Sequence, residues 1–461
     1  MGGIQNSNLT THDAHAIVII GGGFAGLAAG VALAEAGKRV CLLEQNPHLG
    51  GRARSFVDPV TGSVVDNGQH LFMGCYHATT RFLQTIGSLD RLYFQPRLAI
   101  PFLERDGRLS RLECPDWPSP WHLLGGLLRS RSFSFRQKLE VLRLGRRLRR
   151  HQPDSLTGET VSVWLDRRGQ SRSLQRDFWD LLSIAALNED PRIASARIFE
   201  RVIRLALFSA PADARLGWAR TGLSDCYTGA AAAFIAARRG RVQTGCGVRR
   251  LLIADGVCRG VELRSGEVLE AACVISAAPW HRLGPLLDPE WRAHPLFAAA
   301  LTLCPAPIIS INLWFDRAIT ELEYAGLRGT TVQWLFNKGR ILGSGEHYVT
   351  LVLSGAHEHV ARSNEELVAL AWSELGPVLP ASREAKVLRT SVIKERFATF
   401  SPSPPAEAVR PSFRTPIKGF LLAGDWTATG LPATIEGAVQ SGYAAAEAAF
   451  GPHALAEAIK K

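Results

Sequence analysis

A glycine-rich run that begins at Gly21 reads GGGFAG, which is the G-x-G-x-x-G spacing of dinucleotide-binding folds. Gly21 permits a tight turn, Gly23 lets the backbone approach a pyrophosphate, and Gly26 lets a helix pack closely on a strand. Ala25 lies in this run, just before the predicted helix, whose free N–H groups would face the anionic ligand. Glu44 ends the next predicted strand and could accept hydrogen bonds from a ribose diol. The run therefore predicts dinucleotide binding.

A second glycine pair with an arginine follows this acid and favours a flavin over a nicotinamide dinucleotide. Gly51 and Arg52 resemble the flavoprotein extension of the fingerprint, in which backbone and guanidinium add to pyrophosphate binding. Arg52 suits a phosphate better than a lysine would, because its donors are planar and fixed. The alternative is a surface loop that carries two solvated arginines, Arg52 and Arg54.

The far end of the chain carries the other half of the predicted site. A short apolar strand at 420–423 ends at Gly424 and Asp425. In flavoproteins of this type the aspartate contacts the ribityl and phosphate region of FAD. The following helix, which begins near Ile435, directs its N–H groups at the flavin pyrimidine ring and stabilises negative charge there. The two ends of the chain together predict FAD.

The elements around these motifs predict an α/β fold with a Rossmann-like, glutathione-reductase-type FAD-binding domain and a mixed α+β substrate lobe. A strand at 15–20, a helix at 27–36 and a strand at 39–43 frame the fingerprint, and a helix at 229–239 precedes a β-meander. The predicted division is a flexible tail at 1–13, a discontinuous FAD-binding domain at 14–90, 221–290 and 413–461, and a substrate-binding domain at 91–220 and 291–412.

Composition excludes several classes of protein. The 461 residues are 46% hydrophobic and 21% charged, which argues against a disordered, collagen-like or coiled-coil chain. Lys+Arg number 53 against 42 Asp+Glu, which permits anionic partners, but no nucleic-acid-binding module is present. The eight cysteines lack metal-ligand spacing. The uncharged stretch at 16–34 contains the glycine run and is predicted to be strand, turn and helix rather than a membrane span. We expect a cytoplasmic protein without a signal peptide.

Four segments occur together as they do in one protein family. They are Asp66-Asn67-Gly68-Gln69-His70, Gly50-Gly51-Arg52-Ala53-Arg54-Ser55, Gly424-Asp425-Trp426-Thr427 and GLPATIEGAV at 430–439. The chain resembles the squalene-associated FAD-dependent desaturases of the amine oxidase and phytoene desaturase superfamily, which act as hydroxysqualene dehydroxylases in bacterial hopanoid synthesis. The resemblance implies that the segment around Gly68 passes beside the flavin and that the Val248 backbone contacts adenine.

Two departures from the amine oxidases argue against an amine substrate. Thr434 stands where those enzymes carry an aromatic residue of the amine cage. The candidate strand at 308–315 contains no lysine, whereas amine oxidases tend to carry an active-site lysine there. No cysteine lies beyond Cys304, so covalent attachment of FAD after the Gly-Asp segment is excluded and we expect non-covalent FAD.

The resemblance implies an allylic C30 alcohol as substrate and squalene as product, with hydride from reduced flavin. His70 is the candidate proton donor, oriented by Asp66 or Gln69, because histidine titrates near neutral pH. The alternative is a histidine that is hydrogen-bonded to backbone beside the flavin. The candidate walls of an apolar tunnel are tryptophans, each of which could equally be ordinary core: Trp117, Trp121, Trp164, Trp179, Trp218, Trp314 and Trp334.

Other functions stay open at this point. The same fold serves an isoprenoid desaturase that runs oxidatively, an amine oxidase, or an idle FAD-binding scaffold that delivers squalene precursors to a partner. A second G-x-G-x-x-G is absent, so the electron donor is not identified and a built-in NAD(P)H site is not expected.

A basic segment at 129–150 suggests an anionic membrane surface as a further partner. On a helical wheel Arg136, Arg143, Arg146, Arg147 and Arg150 share one face, with Val141, Leu144 and Leu148 opposite. Such a helix could lie on the inner face of the cell membrane and present the tunnel mouth to the lipid. The alternative is a solvated basic helix that packs on the substrate lobe.

Overall fold

The computed structural model describes residues 17–149 and 156–450, so the predicted tail at 1–13 and Arg150 lie outside the described residues. The strands are β1 Ile17–Ile20, β2 Val40–Leu43, β3 Ser55–Val57, β4 Val64–Asp66, β5 Phe72–Met73, β6 Leu92–Phe94, β7 Ala99–Glu104, β8 Leu109–Glu113, β9 Leu216–Ala219, β10 Arg241–Gln243, β11 Val248–Ala254, β12 Val257–Leu263, β13 Val268–Glu270, β14 Cys273–Ser276, β15 Pro305–Phe315, β16 Tyr324–Arg328, β17 Trp334–Asn337, β18 Tyr348–Ser354, β19 Val387–Phe400 and β20 Phe420–Leu422. The helices are α1 Phe24–Glu35, α2 His77–Thr85, α3 Trp121–Arg129, α4 Phe135–Leu148, α5 Val161–Arg167, α6 Arg172–Leu174, α7 Asp180–Leu187, α8 Ala196–Leu207, α9 Leu223–Ala236, α10 Trp280–Leu283, α11 Pro289–Ala293, α12 Pro295–Ala300, α13 Lys338–Leu342, α14 Asn364–Val378, α15 Pro404–Val409 and α16 Ile435–Phe450.

The first lobe surrounds a parallel sheet of five strands in the order β10-β2-β1-β14-β20. Ile17 of β1 pairs with Val40 of β2 on one side and with Cys273 of β14 on the other. Every residue of these three strands is buried, as expected for a parallel sheet that is covered on both faces. Ile19 packs against α1, α9 and α16, whereas its neighbour Val18 points to the opposite face and packs against the β11–β12–β13 meander.

The second lobe is built on a seven-stranded sheet in the order β19-β15-β18-β17-β16-β7-β8. Its neighbouring strands are antiparallel except for β16 and β7. Trp334 of β17 and Val352 of β18 face the helical layer that contains α4, α7 and α8. Leu351 and Leu353 point the other way and pack against α14. The predicted α/β class, with a mixed second lobe, is confirmed.

Two helices begin earlier than the sequence pattern predicts. The first helix starts at Phe24 rather than at residue 27, directly after Gly23. The predicted helix at 229–239 is α9 and starts at Leu223. The Leu223 N–H donates to the Asp66 carboxylate at 3.0 Å, across 157 positions of sequence. A helix end that is satisfied by so distant a residue leaves no local sequence signal.

Candidate active site

A cavity of about 1740 Å³ runs from the carboxyl edge of the parallel sheet into the second lobe. This volume exceeds the roughly 300–1,000 Å³ of a site for one small molecule, so a cofactor and a long substrate can share it. We call the part beside the parallel sheet the FAD end. It is lined by every predicted cofactor-binding residue except Gly26, namely Gly21, Gly23, Ala25, Glu44, Gly51, Arg52, Gly68, Val248, Gly424, Asp425 and Ile435.

Two glycine loops face each other across the FAD end. A Cβ atom built on Gly51 would lie 3.5 Å from the Gly23 Cα, and one built on Gly23 would lie 3.9 Å from the Gly50 carbonyl oxygen. Helix α1 starts at this point with no capping side chain and no acidic residue in its first turn. Its first N–H groups are therefore available to an anion, as a pyrophosphate requires.

Gly26 plays a different part and is packed behind the cavity. A Cβ atom on Gly26 would lie 1.9 Å from the Gly21 carbonyl oxygen, so α1 and the turn after β1 can approach only because this position has no side chain. This close approach explains why Gly26 does not line the cavity although it belongs to the same fingerprint.

Glu44 is buried at the end of β2, beside the first glycine loop. One carboxylate oxygen accepts the Gly22 N–H at 2.8 Å, and the other accepts the backbone and side-chain N–H groups of Asn46 at 2.8 and 2.7 Å. These bonds fix the carboxylate at the cavity wall, where its remaining lone pairs suit ribose hydroxyls. Val248, at the start of β11, lines the same end.

Arg52 joins three parts of the chain at the FAD end. Its guanidinium donates to the Asp425 carboxylate at 2.6 Å and to the Ala398 carbonyl oxygen of β19 at 2.7 Å. Burial alone would lower the pKa of Arg52, but the carboxylates of Asp425 and Glu395 together outweigh burial, and the pKa lies above its ordinary value. The sequence pattern identified Arg52 and Asp425 separately, and the structure places them in direct contact.

The loop between Asp425 and α16 is held by Arg410, which the sequence analysis missed. This buried guanidinium donates to the carbonyl oxygens of Asp425, Trp426, Thr427 and Leu431. Burial lowers its pKa to about 10, so it stays charged at neutral pH. The only local signal is a charged residue before a proline, ahead of the last strand.

Thr434 and Glu436, of the GLPATIEGAV segment at 430–439, each accept hydrogen bonds from a helix end. The Thr434 hydroxyl accepts the Gly437 N–H at 3.1 Å and so satisfies a free donor of the last helix. The buried Glu436 carboxylate accepts the N–H groups of Ala78 and Thr79, at 3.0 and 2.9 Å, in the first turn of α2. Thr434 therefore occupies the position of the aromatic cage residue as a helix cap.

Tyr227 of α9 supports the second glycine pair, and the sequence analysis missed it too. Its hydroxyl lies 2.9 Å from both the Gly50 and the Ala53 carbonyl oxygens, and these two acceptors share its hydrogen. Its ring stacks on Phe24 with a centroid distance of 3.7 Å. Burial raises the pKa of Tyr227 well above its ordinary value, so the hydroxyl keeps its proton.

The segment at 66–70 crosses the junction of the two lobes, and His70 and Asp66 have separate hydrogen-bond partners there. His70 Nδ1 lies 2.8 Å from the Gly68 carbonyl oxygen. Asp66 instead accepts the Lys338 ammonium at 2.7 Å and the Leu223 N–H. His70 thus has a backbone partner, as in the alternative given above, while the Asp66 carboxylate is engaged by a buried lysine and a helix end. The orientation of His70 by Asp66 or Gln69 stays a prediction.

The Gly68 contact fixes the tautomer of His70. A carbonyl oxygen only accepts, so Nδ1 carries the proton and Nε2 is left for the cavity. Burial lowers the pKa of His70, while the nearby Asp66 charge opposes that shift. In the free protein His70 is therefore mostly neutral at neutral pH.

Unpaired polar atoms at the FAD end fit a flavin. Gln69 Oε1 is buried and has no hydrogen-bond partner among the described residues, although it lines the cavity. Asn67, beside it, donates to the Glu395 carboxylate at 3.0 Å and is satisfied. A buried acceptor without a donor is costly, and a flavin ring, which carries N–H groups, would supply one. The glycine cradle, Arg52 and the α16 N-terminus complete a set of groups that fits FAD.

The rest of the cavity enters the second lobe, and we call it the apolar arm. Its walls are side chains from both the sheet and the helices, among them Ile100, Phe178, Ile308, Trp334, Phe336 and Val352. Of the seven candidate tryptophans, Trp121, Trp179 and Trp334 line the cavity. The prediction is wrong for the others, because Trp164, Trp218 and Trp314 are buried away from the cavity lining and Trp117 is exposed outside it.

Helices α3 and α4 form the mouth of the arm. Trp121 and Arg143 line the cavity and are exposed, whereas Leu144 and Leu148 are buried. Ser134 caps α4 with a capping box. The predicted amphipathic helix is therefore confirmed over Phe135–Leu148. Among the described helices, none has the length and apolar character needed to cross a membrane.

Comparisons with known proteins agree with this site. The family model for flavin containing amine oxidoreductases matches residues 24–449. A hydroxysqualene dehydroxylase of Rhodopseudomonas palustris is 31% identical over 93% of this chain and 97% of its own length. A chloroplastic or chromoplastic 15-cis-phytoene desaturase of Glycine max is 27% identical over 94% of this chain and 79% of its own length.

Solved structures show the same fold. An oxidoreductase from Methanosarcina mazei superposes with a TM-score of 0.74 at 18% identity, covering 94% of this chain and all of that one. A putrescine oxidase variant superposes with a TM-score of 0.72 at 16% identity, covering 95% of this chain and 99% of that one. The family match and the geometry identify an FAD-dependent oxidoreductase.

Proposed function

Since the chain belongs to the family of flavin-containing amine oxidoreductases, we propose that it is an FAD-dependent dehydroxylase that converts hydroxysqualene, a C30 isoprenoid alcohol, to squalene. The observation that carries the proposal is the apolar arm, which leads from a mouth at α3 and α4 to the FAD end. A substrate with one hydroxyl and thirty carbons needs such walls, because each buried CH₂ contributes about 0.8 kcal/mol. The relative that is 31% identical bears the same activity in its name.

The site argues against an amine as substrate. Thr434 caps a helix where an amine cage would need an aromatic ring. Strand β15 contributes Ile308 to the arm and contains no lysine. The walls of the arm therefore offer apolar contact rather than recognition of a cation.

In the proposed reaction the C–O bond of the alcohol breaks and a C–H bond forms. Reduced FAD, when bound, supplies the hydride, and an electron donor not yet identified must reduce it again. We propose that His70, protonated at Nε2, gives its proton to the leaving hydroxyl, so that water departs. Gly68 holds the ring by Nδ1, and the nearby Asp66 charge raises the fraction of His70 that is protonated. Asp66 thus acts on His70 through its charge, while its carboxylate hydrogen-bonds to Lys338 and Leu223.

The second candidate function is an isoprenoid desaturase that runs oxidatively. Two observations favour it: phytoene desaturases are 26–28% identical over most of the chain, and the lowered pKa leaves His70 neutral and able to accept a proton. In that reaction two C–H bonds of the isoprenoid break and a C=C bond forms. Neutral His70 would accept the proton, and oxidised FAD, when bound, would accept the hydride, whose electrons a further acceptor must take up.

An anaerobic single turnover distinguishes the two. The FAD in the purified protein is reduced chemically, hydroxysqualene is added, and the flavin spectrum and the extracted lipid are followed. Stoichiometric reoxidation with squalene as product is the expected result. Flavin that stays reduced beside unchanged alcohol would contradict the dehydroxylase, and oxidised protein would then be tested with more saturated isoprenoid precursors.

The role of His70 has its own test within that experiment. His70→Phe is expected to slow the single turnover by about 10²-fold or more, the usual contribution of an acid or base, without loss of FAD. His77→Phe is the matched control, because His77 also lines the cavity but is largely exposed and pairs with Asp213. Equal rates per bound flavin in the two variants would remove His70 from the mechanism.

We further propose that the mouth attaches to an anionic bilayer. Around it the exposed side chains are apolar and basic: Trp121 is 56% and Phe135 85% exposed, and Arg143 and Arg146 stand beside the opening. Large exposed apolar side chains together with arginines match a lipid surface, where the apolar groups insert and the cations meet phosphate. A lipid substrate could then enter the arm without crossing water.

Vesicle co-sedimentation tests this attachment. Binding is expected to increase when phosphatidylglycerol is added to phosphatidylcholine vesicles, and to weaken with salt. Phe135→Asp should reduce binding severalfold, whereas Val268→Asp, at an exposed position on the β-meander, should not. Binding that is insensitive to anionic lipid and to Phe135→Asp would contradict the proposal.

A further inference from the structure

The apolar arm contains a fixed polar pair, Asn188 and Thr399. Asn188 follows α7 in the left-handed conformation, with φ of 53°. Its amide donates to the Ala306 carbonyl oxygen at 3.0 Å and to Thr399 Oγ1 at 2.8 Å, and its carbonyl oxygen accepts the Gly355 N–H at 2.7 Å. Both residues are buried and both line the cavity. The three bonds hold a conformation that non-glycine residues seldom adopt.

The direction of the Asn188 bond leaves the Thr399 proton free. Because Asn188 donates, Thr399 Oγ1 accepts and must point its own hydrogen elsewhere. Among the described residues, Thr399 has no acceptor for that hydrogen, although the residue lines the cavity. A buried hydroxyl oriented in this way is a ready donor to an oxygen atom of a ligand.

The position of Thr399 relates this donor to the cofactor. Thr399 directly follows Ala398, whose carbonyl oxygen accepts the Arg52 guanidinium at 2.7 Å. Arg52 in turn contacts Asp425, so Thr399 belongs to the part of β19 where the arm meets the FAD end. Nearby walls of the arm, such as Ile308 and Val352, are hydrocarbon.

We propose that Thr399 donates a hydrogen bond to the hydroxyl oxygen of the substrate, and that Asn188 is the positioning residue that orients it. This inference rests on the proposed function and names the group that recognises the alcohol. An alcohol oxygen that enters an apolar site without a donor loses its bonds to water, which disfavours binding. The hydrocarbon product has no such oxygen, so Thr399 favours substrate over product and aids product release.

The test compares the affinity of the alcohol with that of the hydrocarbon. Hydroxysqualene and squalene are titrated against the oxidised holoprotein, with the flavin spectrum or fluorescence as signal. Thr399→Val, which keeps the shape and removes the hydroxyl, is expected to weaken hydroxysqualene binding by about five- to tenfold, the size of one neutral hydrogen bond. Squalene affinity should stay within about twofold. Thr399→Ser should restore the preference for the alcohol.

Ser354→Ala is the matched control, because Ser354 lines the same cavity and belongs to β18, which is separated from β19 by β15 alone. Its alcohol-to-hydrocarbon ratio should equal that of the unchanged protein. Equal losses for both ligands in Thr399→Val, or no loss for either, would overturn the inference and assign Thr399 a purely structural role. If the unchanged protein converts hydroxysqualene in the single turnover while Thr399→Val keeps its preference, only this inference fails. If the unchanged protein neither binds nor converts hydroxysqualene, the proposed function itself fails.

Discussion

Gly23 and Gly51 present bare backbone to the cavity at its FAD end, whereas the apolar arm is walled by side chains such as Phe178, Trp334 and Val352. A backbone surface depends on spacing and on the absence of Cβ atoms, and it tolerates little change. A side-chain surface depends on total volume and shape, and a core of that kind accepts volume-conserving substitutions at modest cost. A single added methyl group should therefore disturb function at the FAD end, whereas the apolar arm should be disturbed only by a large increase in side-chain volume.

The largest effects are expected from alanine substitutions in the G-x-G-x-x-G run, where one glycine is needed for folding and another for FAD binding. Gly26→Ala would set a methyl group 1.9 Å from the Gly21 carbonyl oxygen, so we expect no stably folded protein. Gly23→Ala meets nothing nearer than 3.9 Å, and its φ of −84° suits alanine, so the chain should fold. Its methyl group would occupy the space of the phosphates and weaken the binding of FAD by about 100-fold, or about 2.7 kcal/mol.

Circular dichroism and the flavin content after purification measure both outcomes. A Gly23→Ala protein that folds and keeps its full complement of FAD would show that the cradle does not hold the pyrophosphate. A Gly26→Ala protein that folds like the unchanged one would refute the distinction between the two glycines.

The next effect concerns pH and His70, which lies where the two regions meet. If the protonated ring is the active form, kcat/KM falls as pH rises through its pKa, which burial places below 6.5. The fall should approach about tenfold per pH unit above that pKa. The profile is measured with hydroxysqualene from about pH 5 to pH 9. A rate that instead rises with pH would make His70 a base and favour the desaturase function.

A smaller effect is expected when bulk is added to the arm. Ile308→Trp should lower kcat/KM by about tenfold, because the larger ring fills space that the substrate needs, while FAD content stays unchanged. Ile308→Leu conserves volume and serves as the control. Steady-state kinetics and the flavin spectrum report the two regions separately. Loss of FAD in Ile308→Trp would show that the regions are not independent.

The smallest effect is expected from a side chain that supports backbone at the FAD end. Tyr227→Phe keeps the stack on Phe24 but removes the hydroxyl that bonds the Gly50 and Ala53 carbonyl oxygens. The loss of one hydrogen bond should lower the affinity for FAD severalfold, which corresponds to about 1 kcal/mol. Titration of the apoprotein with FAD measures it. Unchanged affinity would mean that the second glycine pair holds its conformation without Tyr227.

The candidate site could be predicted only in part. Gly23, Glu44, Arg52 and Asp425 lie in short motifs, and the structure places all four at one end of the cavity. Tyr227 and Lys338 escaped prediction because each acts on residues far away in sequence. The Asp66–Lys338 pair, for example, joins positions 272 residues apart. Arg410 escaped because its partners are backbone carbonyl oxygens, which leave no side-chain pattern. For His70 the sequence left two alternatives open, and the structure gives the ring a backbone partner, the Gly68 carbonyl oxygen.

The cofactor can be predicted from the sequence alone, because a pyrophosphate cradle needs glycines and an acid at fixed local spacing. Three features instead required the folded chain: which tryptophans line the arm, what holds His70, and the bond from Asn188 to Thr399. The two cases differ because a cradle is built from consecutive backbone groups. A tunnel and its polar contacts are built from side chains that meet only after strands and helices from the whole chain have packed together.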